Sequence, residues 1–147
     1  MTEPIRWGIL GTGNIAGSFA TGLQSVEDAQ LVAVGSRTKG TADVFGDRFN
    51  IARRHASYDA LAGDKEVDAI YVATPHSYHK ENSILCLEAG KAVLCEKPFA
   101  INIGEAEKIV ACARERGIFL MEAMWTRFLP ALVQVKQWLS DGAIGEV

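Results

Sequence analysis

Apolar positions along this chain fall into two alternating rhythms: short continuous runs, and longer stretches that repeat every three to four residues. The run Arg6-Trp7-Gly8-Ile9-Leu10 reads as a strand, and Ile15, Phe19 and Leu23 then recur by fours, which predicts a helix to about Leu23 with those three inward. Residues 30–36 are nearly all apolar, as a strand buried on both faces of a parallel sheet requires. Ala42, Phe45 and Phe49 mark a second helix. An extended piece near His55 to Tyr58 and a small helix through Leu61 follow. Residues 67–74 form the clearest strand, ended by Pro75, which cannot continue a central ladder.

The second half repeats the scheme. Ser77 is placed to cap a helix running to Ala89, with Gly90 as its stop. Residues 92–96 are a strand ended by Lys97-Pro98. Asn102 and Glu105 have capping-box spacing, and Ile103, Ala106, Ile109, Val110 and Ala113 mark the inward face of a helix that Gly117 ends. Residues 118–121 are a further strand. Pro130 opens a last helix carrying Leu132, Val133, Val135, Trp138 and Leu139, which Gly142 stops. Trp7 and Trp138 read as core. Strands alternating with helices in this way predict an α/β fold with a doubly wound parallel sheet and right-handed crossovers. Ligand chemistry in such a sheet lies at the C-terminal strand ends. Those ends are Gly11, Ser36-Arg37, Thr74-Pro75, Glu96-Lys97 and Glu122 onward.

The first of these ends carries the most information. Gly11-Thr12-Gly13-Asn14-Ile15-Ala16 follows a strand and opens a helix, the context in which a Gly-x-Gly-x-x-Ala turn binds a dinucleotide. Gly11 allows the tight turn, Gly13 removes the Cβ that would block a pyrophosphate, and Ala16 lets the helix lie close to the sheet. The helix then aims unpaired N–H groups and its positive end at the anion. The same turn also fits a close-packed corner of another α/β protein, or a methyltransferase-type loop holding a nucleoside.

Composition narrows the field. With 147 residues there is material for one domain with a real core. A net charge of −3 gives no reason to expect nucleic acid. No stretch is long and apolar enough to span a membrane, and Met1-Thr2-Glu3-Pro4 is no signal peptide. Cys86, Cys95 and Cys112 are odd in number and lack metal-like spacing, which points to free thiols in a reducing compartment and hence a cytoplasmic protein.

At the end of the second strand an NAD site usually places a carboxylate, about twenty residues past the glycines, to hold the ribose 2′-hydroxyl. Here stand Ser36, Arg37, Thr38 and Lys39, while Glu27 and Asp28 lie at the wrong end of that strand. A guanidinium with hydroxyls suits a 2′-phosphate that a carboxylate would repel, so NADP is expected ahead of NAD. A solvated basic turn is the plain alternative. Glu96-Lys97-Pro98 puts an amine at a strand tip, with Pro98 keeping Lys97 extended. That amine can hydrogen-bond a substrate hydroxyl or exchange its proton; the alternative is a surface lysine pairing with Glu96. His76 and His79 have a metal-compatible spacing without further ligands, so an ordering role beside the cofactor is expected rather than a metal. His55 reads as structural. Trp125, Thr126, Arg127 and Phe128 suit a stacking and hydrogen-bonding wall, or the packing of an inter-domain connection.

Together these residues resemble the Gfo/Idh/MocA (glucose–fructose oxidoreductase and inositol dehydrogenase) family. The resemblance rests on Gly-Thr-Gly-Asn-Ile-Ala (11–16), Ala-Thr-Pro-His-Ser-Tyr-His (73–79), Gly-Lys-Ala-Val-Leu-Cys-Glu-Lys-Pro (90–98) and Gly-Ala-Ile-Gly-Glu-Val (142–147). Residues 121–128 look closest to its dimeric dihydrodiol dehydrogenase and NADP-dependent xylose dehydrogenase branches. The resemblance implies a Rossmann fold and hydride transfer between NADP and a hydroxyl carbon of a sugar or cyclic diol; a non-catalytic NADP-binding module that senses the cofactor or docks to a partner is the alternative. It casts Lys97 as a catalytic acid/base or substrate-orienting group, with Glu96, Thr74 and His79 in the cofactor pocket. With the residues singled out along the strand ends, the expected cofactor-binding set is Gly11, Thr12, Gly13, Asn14, Ile15, Ser36, Arg37, Thr38, Thr74, Pro75, His76, His79, Glu96, Lys97, Trp125 and Arg127. It also implies a cis Lys97–Pro98 peptide. Family members continue into a second α+β domain that completes the substrate site and the oligomer interface. On that basis residues 1–125 are expected to be the dinucleotide-binding domain and 126–147 a connecting helix at the start of a missing substrate domain. Exposed apolar surface around Trp125, Phe128 and Trp138 would then follow.

Overall fold

The computed structural model describes residues 3–146; Met1, Thr2 and Val147, the last residue of the 142–147 match, lie outside the described residues. Six parallel strands form one sheet: β1 (Ile5–Leu10), β2 (Ala29–Gly35), β3 (Arg53–His55), β4 (Ala69–Val72), β5 (Ala92–Cys95) and β6 (Leu120–Glu122). Their spatial order is β3-β2-β1-β4-β5-β6, so the winding reverses between β1 and β4 and opens a crevice at their C-terminal ends. The helices are α1 (Asn14–Leu23), α2 (Lys39–Phe49), α3 (Tyr58–Ala62), α4 (His79–Glu88), α5 (Ile103–Arg116) and α6 (Pro130–Ser140).

Alternation along the central strands divides the core in two. Ile9, Val34 and Tyr71 point to one face, where they meet Ala16 and Ala20 of α1 and Phe45 of α2. Leu10, Ala33, Ile70 and Val72 point to the other, against Leu61 of α3, Cys86 and Leu87 of α4 and Ile109 of α5. On that second face Gly8 and Gly35 leave a hollow for Leu61, since a Cβ on Gly35 would lie 2.8 Å from Leu61 Cβ.

Side-chain caps fix three helix starts. Thr38 accepts from Thr41 N, Ser57 from Ala60 N and Asn102 from Glu105 N. Gly117 ends α5 in the left-handed region, at φ 64°.

Several expectations need correction. The buried face of α1 is Ala16, Gly17, Ala20 and Leu23, while Ile15 is exposed and Phe19 lies at the margin, stacked on Tyr71. Small residues win here because α1 lies too close to the sheet for larger ones. Ser77 caps nothing: a 3-10 turn (His76–Tyr78) comes first, and α4 begins at His79. Ile103 is exposed at the first turn of α5. Trp138 is no core residue either, because every residue of α6 is exposed and none joins either cluster. Trp125, Phe128 and Trp138 are 59%, 65% and 52% exposed, so apolar surface does lie open around these three residues.

One ion-paired cluster ties the β3 edge to the loop after α3. Asp64 is buried and accepts Arg53 Nε at 2.6 Å, Arg53 Nη2 at 2.7 Å, and the Glu66 backbone N–H at 2.9 Å. His55 Nε2 stands 2.8 Å away, which fits its structural reading. The Arg53 hydrogen bonds hold the Asp64 carboxyl well below the ordinary carboxylate range, against the opposing effect of burial. A carboxylate depressed in the folded state stabilises the fold above its unfolded pKa and loses that contribution as pH falls. Asp64→Asn is therefore expected to cost about 1–3 kcal/mol at pH 7, with the gap to the parent narrowing below about pH 5 and still open at about pH 3, because the folded carboxylate gives up its charge only well below the ordinary range, as urea denaturation at several pH values will measure.

Candidate functional site

The crevice at the β1/β4 reversal is a cleft of about 680 Å³. Its floor is the glycine turn. Gly11 has φ 107°, and a Cβ there would come within 2.9 Å of the Ala73 carbonyl oxygen, so both backbone angle and space demand glycine. Its N–H donates to Gly35 O at 2.9 Å, and Ala73 N–H donates to Leu10 O at 2.9 Å, which locks the turn between β2 and β4. Gly13 differs in kind. Its backbone is ordinary (φ −77°, ψ −178°), and a Cβ would meet nothing within 4 Å. Nothing inside the protein asks for glycine at 13; the freed space faces the cleft, where a bulky anion can approach the start of α1.

One wall is the β2 tip. Ser36 is buried, and its Oγ lies 2.6 Å from Thr41 Oγ1, which is in turn 2.9 Å from Thr38 Oγ1. These hydroxyls cluster at the N-terminus of α2, and Arg37 stands exposed beside them as a cleft wall. Asp28 lies at the far end of β2, where its carbonyl accepts Ile5 N–H. Among the cleft-lining residues there is no carboxylate.

The opposite wall is the β4 tip, Ala73-Thr74-Pro75, with Tyr78 from the following turn. His79 holds this loop from behind. It is fully buried, with Nε2 2.9 Å from Thr74 O and Nδ1 2.8 Å from Pro98 O. Asn82 Nδ2 donates to Thr74 Oγ1 at 2.9 Å. His79 thus joins the β4 loop to the β5 loop without lining the cleft itself.

At the β5 tip Glu96 is buried and oriented from two sides. Tyr71 Oη donates to its Oε1, and the Lys97 backbone N–H donates to Oε2 at 3.0 Å. Burial and then the Glu96 contact push the Tyr71 phenol well up, so it stays a donor. Lys97 is exposed, and the Lys97–Pro98 peptide is cis. The next turn is tied down by Glu122 of β6, whose Oε1 accepts Phe99 N–H at 2.9 Å.

Gly11, Thr12, Gly13, Ser36, Arg37, Thr38, Thr74 and Pro75 all line the one cleft. Asn14 and Ile15 open α1 beside it and are exposed. His76, His79, Glu96 and Lys97 lie around the neighbouring β4 and β5 tips, and Trp125 and Arg127 sit exposed beyond β6, so none of these is a cleft wall. The residues missed were Thr41, Tyr58, Ala73 and Tyr78. Thr41 was recoverable as the partner of the Thr38 cap. Tyr58 carried only a positional signal, one residue into the helix after a strand that pairs with β2. Among the described residues no group of three or more His, Cys, Asp or Glu is placed to hold a metal ion.

Residues 5–124 match the family described as oxidoreductase family, NAD-binding Rossmann fold, GFO_IDH_MocA. The chain belongs to the Gfo/Idh/MocA oxidoreductase family. Within it, the chain is 46% identical over 145 residues to a trans-1,2-dihydrobenzene-1,2-diol dehydrogenase of Mus musculus, covering 97% of this chain and 44% of the relative. A human protein of the same name is 43% identical over 145 residues, covering 97% of this chain and 43% of the relative. Among solved structures it resembles a 3-ketoreductase of Actinomadura kijaniata, solved in complex with TDP-benzene and NADP. That likeness has TM-score 0.88 and 37% identity over 98% of this chain and 46% of that one. A putative NADPH-dependent oxidoreductase of Desulfitobacterium hafniense superposes with TM-score 0.92 and 29% identity, over 100% of this chain and 42% of that one. The chain thus spans under half the length of these relatives, and as a Gfo/Idh/MocA member it contains their NAD(P)-binding Rossmann part.

The two glycines separate structure from binding. Gly11→Ala is expected to lose about 1–3 kcal/mol through backbone strain. Gly13→Ala is expected to stay within about 1 kcal/mol of the parent, because its Cβ enters open space and the chain is only stiffened. Thermal unfolding of both variants checks the difference.

Proposed function

We propose that this chain is the coenzyme-binding part of an NADP-dependent dehydrogenase that moves a hydride between NADP and a hydroxyl carbon of a sugar or cyclic diol. The observation that carries the choice of NADP is the β2 tip. Ser36, Thr38 and Thr41 gather their hydroxyls at the start of α2, Arg37 adds a fixed positive charge, and no carboxylate lines the cleft. A 2′-phosphate gains charge-assisted hydrogen bonds there, whereas a plain ribose forgoes its usual carboxylate acceptor. The pyrophosphate belongs over Gly11, Thr12 and Gly13, where the backbone is bare and α1 begins.

When bound, the coenzyme supplies or accepts the hydride. The remaining chemistry belongs to the β5 tip. Lys97 Nζ takes the proton of the substrate hydroxyl as the carbon is oxidised and returns it in the reverse direction. Glu96, clamped by Tyr71 and the Lys97 N–H, fixes the start of that loop. His79 holds the β4 and β5 loops together, and Thr74 and Pro75 form the wall between. His76, Trp125 and Arg127 flank the coenzyme's reactive end.

The substrate half of the site lies in further chain. In this reading residues 1–125 are the dinucleotide-binding domain, and 126–147 are a connecting helix that leads into a substrate domain and a homo-oligomer contact. The exposed apolar side chains of α6 and the share of each relative that the chain covers support that division. Three free cysteines support a cytoplasmic setting. Among the described residues no helix is long and apolar enough to cross a membrane.

Arg37→Asp is expected to weaken NADP by about 1.5–3 kcal/mol while changing NAD much less, as measured by titration calorimetry; equal losses for both would refute the assignment. Lys97→Met is expected to leave NADP affinity within about threefold while abolishing turnover of aldoses and cyclic diols in a longer form of the enzyme.

A further inference from the structure

Both ring nitrogens of His79 meet backbone carbonyl oxygens: Nε2 lies 2.9 Å from Thr74 O, and Nδ1 lies 2.8 Å from Pro98 O. A carbonyl oxygen only accepts, so each contact is a hydrogen bond only while that nitrogen carries a proton. A neutral imidazole has a single N–H, and its other nitrogen would set a lone pair against an oxygen at hydrogen-bond distance. His79 is fully buried, and neither carbonyl has another donor among the described residues. Both contacts are satisfied together only in the imidazolium.

No carboxylate answers that charge: among the described residues the one ion pair of a histidine is His55 with Asp64. The β4 loop, Ala73 to Pro75, has no titratable side chain. From the 3-10 turn the His76 ring faces His79 edge-on, with centroids 5.5 Å apart. On α4 itself Lys80 pairs with Glu81 at 2.9 Å and with Glu105 of α5 at 3.4 Å. At the β5 tip Glu96 is held by Tyr71 and the Lys97 N–H, Cys95 Sγ turns to Glu96 O and Phe99 O, and Lys97 is exposed. Glu122 of β6 is held by Phe99 N–H. Burying an imidazolium without a carboxylate costs stability, and two charge-assisted hydrogen bonds offset that cost. Histidine is also the side chain that exchanges a proton near neutrality. We propose that the link between the β4 and β5 loops is a proton-operated latch. As the imidazolium His79 grips Thr74 and Pro98 together; on giving one proton to solvent it keeps one carbonyl and releases the other loop. The latch closes as pH falls and opens as pH rises. The loops it joins carry Thr74, a cleft wall, and Lys97. It belongs to the ligand-free chain, so it stands or falls apart from the coenzyme reading.

The test follows the isotope-labelled, ligand-free chain by NMR from about pH 5 to about pH 9, reading the ring nitrogens of His79 and the backbone amides. At the acid end both ring nitrogens are expected to carry protons. As pH rises one proton leaves, and the amide of His76 or of Phe99, the first N–H after each carbonyl, is expected to shift with the same midpoint. In His79→Leu that shared transition is expected to vanish. A folded chain whose His79 is neutral at the acid end overturns the proposal. So does a ring that keeps both protons throughout, a proton loss that moves neither amide, or the same amide transition in His79→Leu. Should His79→Leu not fold, His76→Gln decides, because His76 is the other imidazole at this place. The transition at His79 and the loop amides is expected to persist there, and its disappearance overturns the proposal.

Discussion

The contact on which this structure turns is the approach of the Gly11 backbone to the Ala73–Thr74 peptide. A Cβ at position 11 would stand 2.9 Å from the Ala73 carbonyl oxygen, in a φ region that side chains avoid. That closeness lets β1 and β4, the strands on either side of the reversal, end side by side. Everything attached to their tips then faces one crevice. The β2 tip enters because Gly11 N–H bonds Gly35 O, and the β5 tip because Glu96 N–H bonds Val72 O. The cleft is thus a consequence of main-chain packing, and the side chains around it tune what it holds.

The tuning uses few groups, each fixed by its neighbours in the fold. His79 grips two loop carbonyls, Tyr71 and the Lys97 N–H orient Glu96, and Thr41 links the hydroxyls of Ser36 and Thr38. Polar groups buried behind a site cost stability unless they are satisfied, and here they find partners in one another and in loop backbone. Lys97 and Arg37 are the exposed cations of this constellation. That suits groups whose partners arrive with a ligand.

The sheet and its helices were legible because both faces of β2, β4 and β5 are covered, so their apolar runs are unbroken and end at Gly or Pro. Strand ends were overdrawn by one to three residues, since an apolar residue past the ladder still packs: Ala73 and Thr74 are buried although β4 ends at Val72. Periodicity misled at α1, where Ile15 and Phe19 keep helical spacing but Ala16 and Ala20 face the sheet. Residue type misled again at α6, where Trp138 was read as core although nothing in the described chain covers it. Of the site, the glycine turn and the basic β2 tip were readable from residue type alone. The Tyr58 wall was not, because its place depends on Leu61 finding the hollow between two glycines on different strands.

The central claim is that this cleft holds a dinucleotide by its glycine turn and prefers the form that carries a 2′-phosphate. Calorimetry of the unaltered chain with NADP and NAD, side by side in one buffer, tests it most directly. The account predicts saturable one-to-one binding with NADP tighter by about tenfold or more, a difference of about 1.4 kcal/mol. Equal affinities, a preference for NAD, or no binding of either would contradict it.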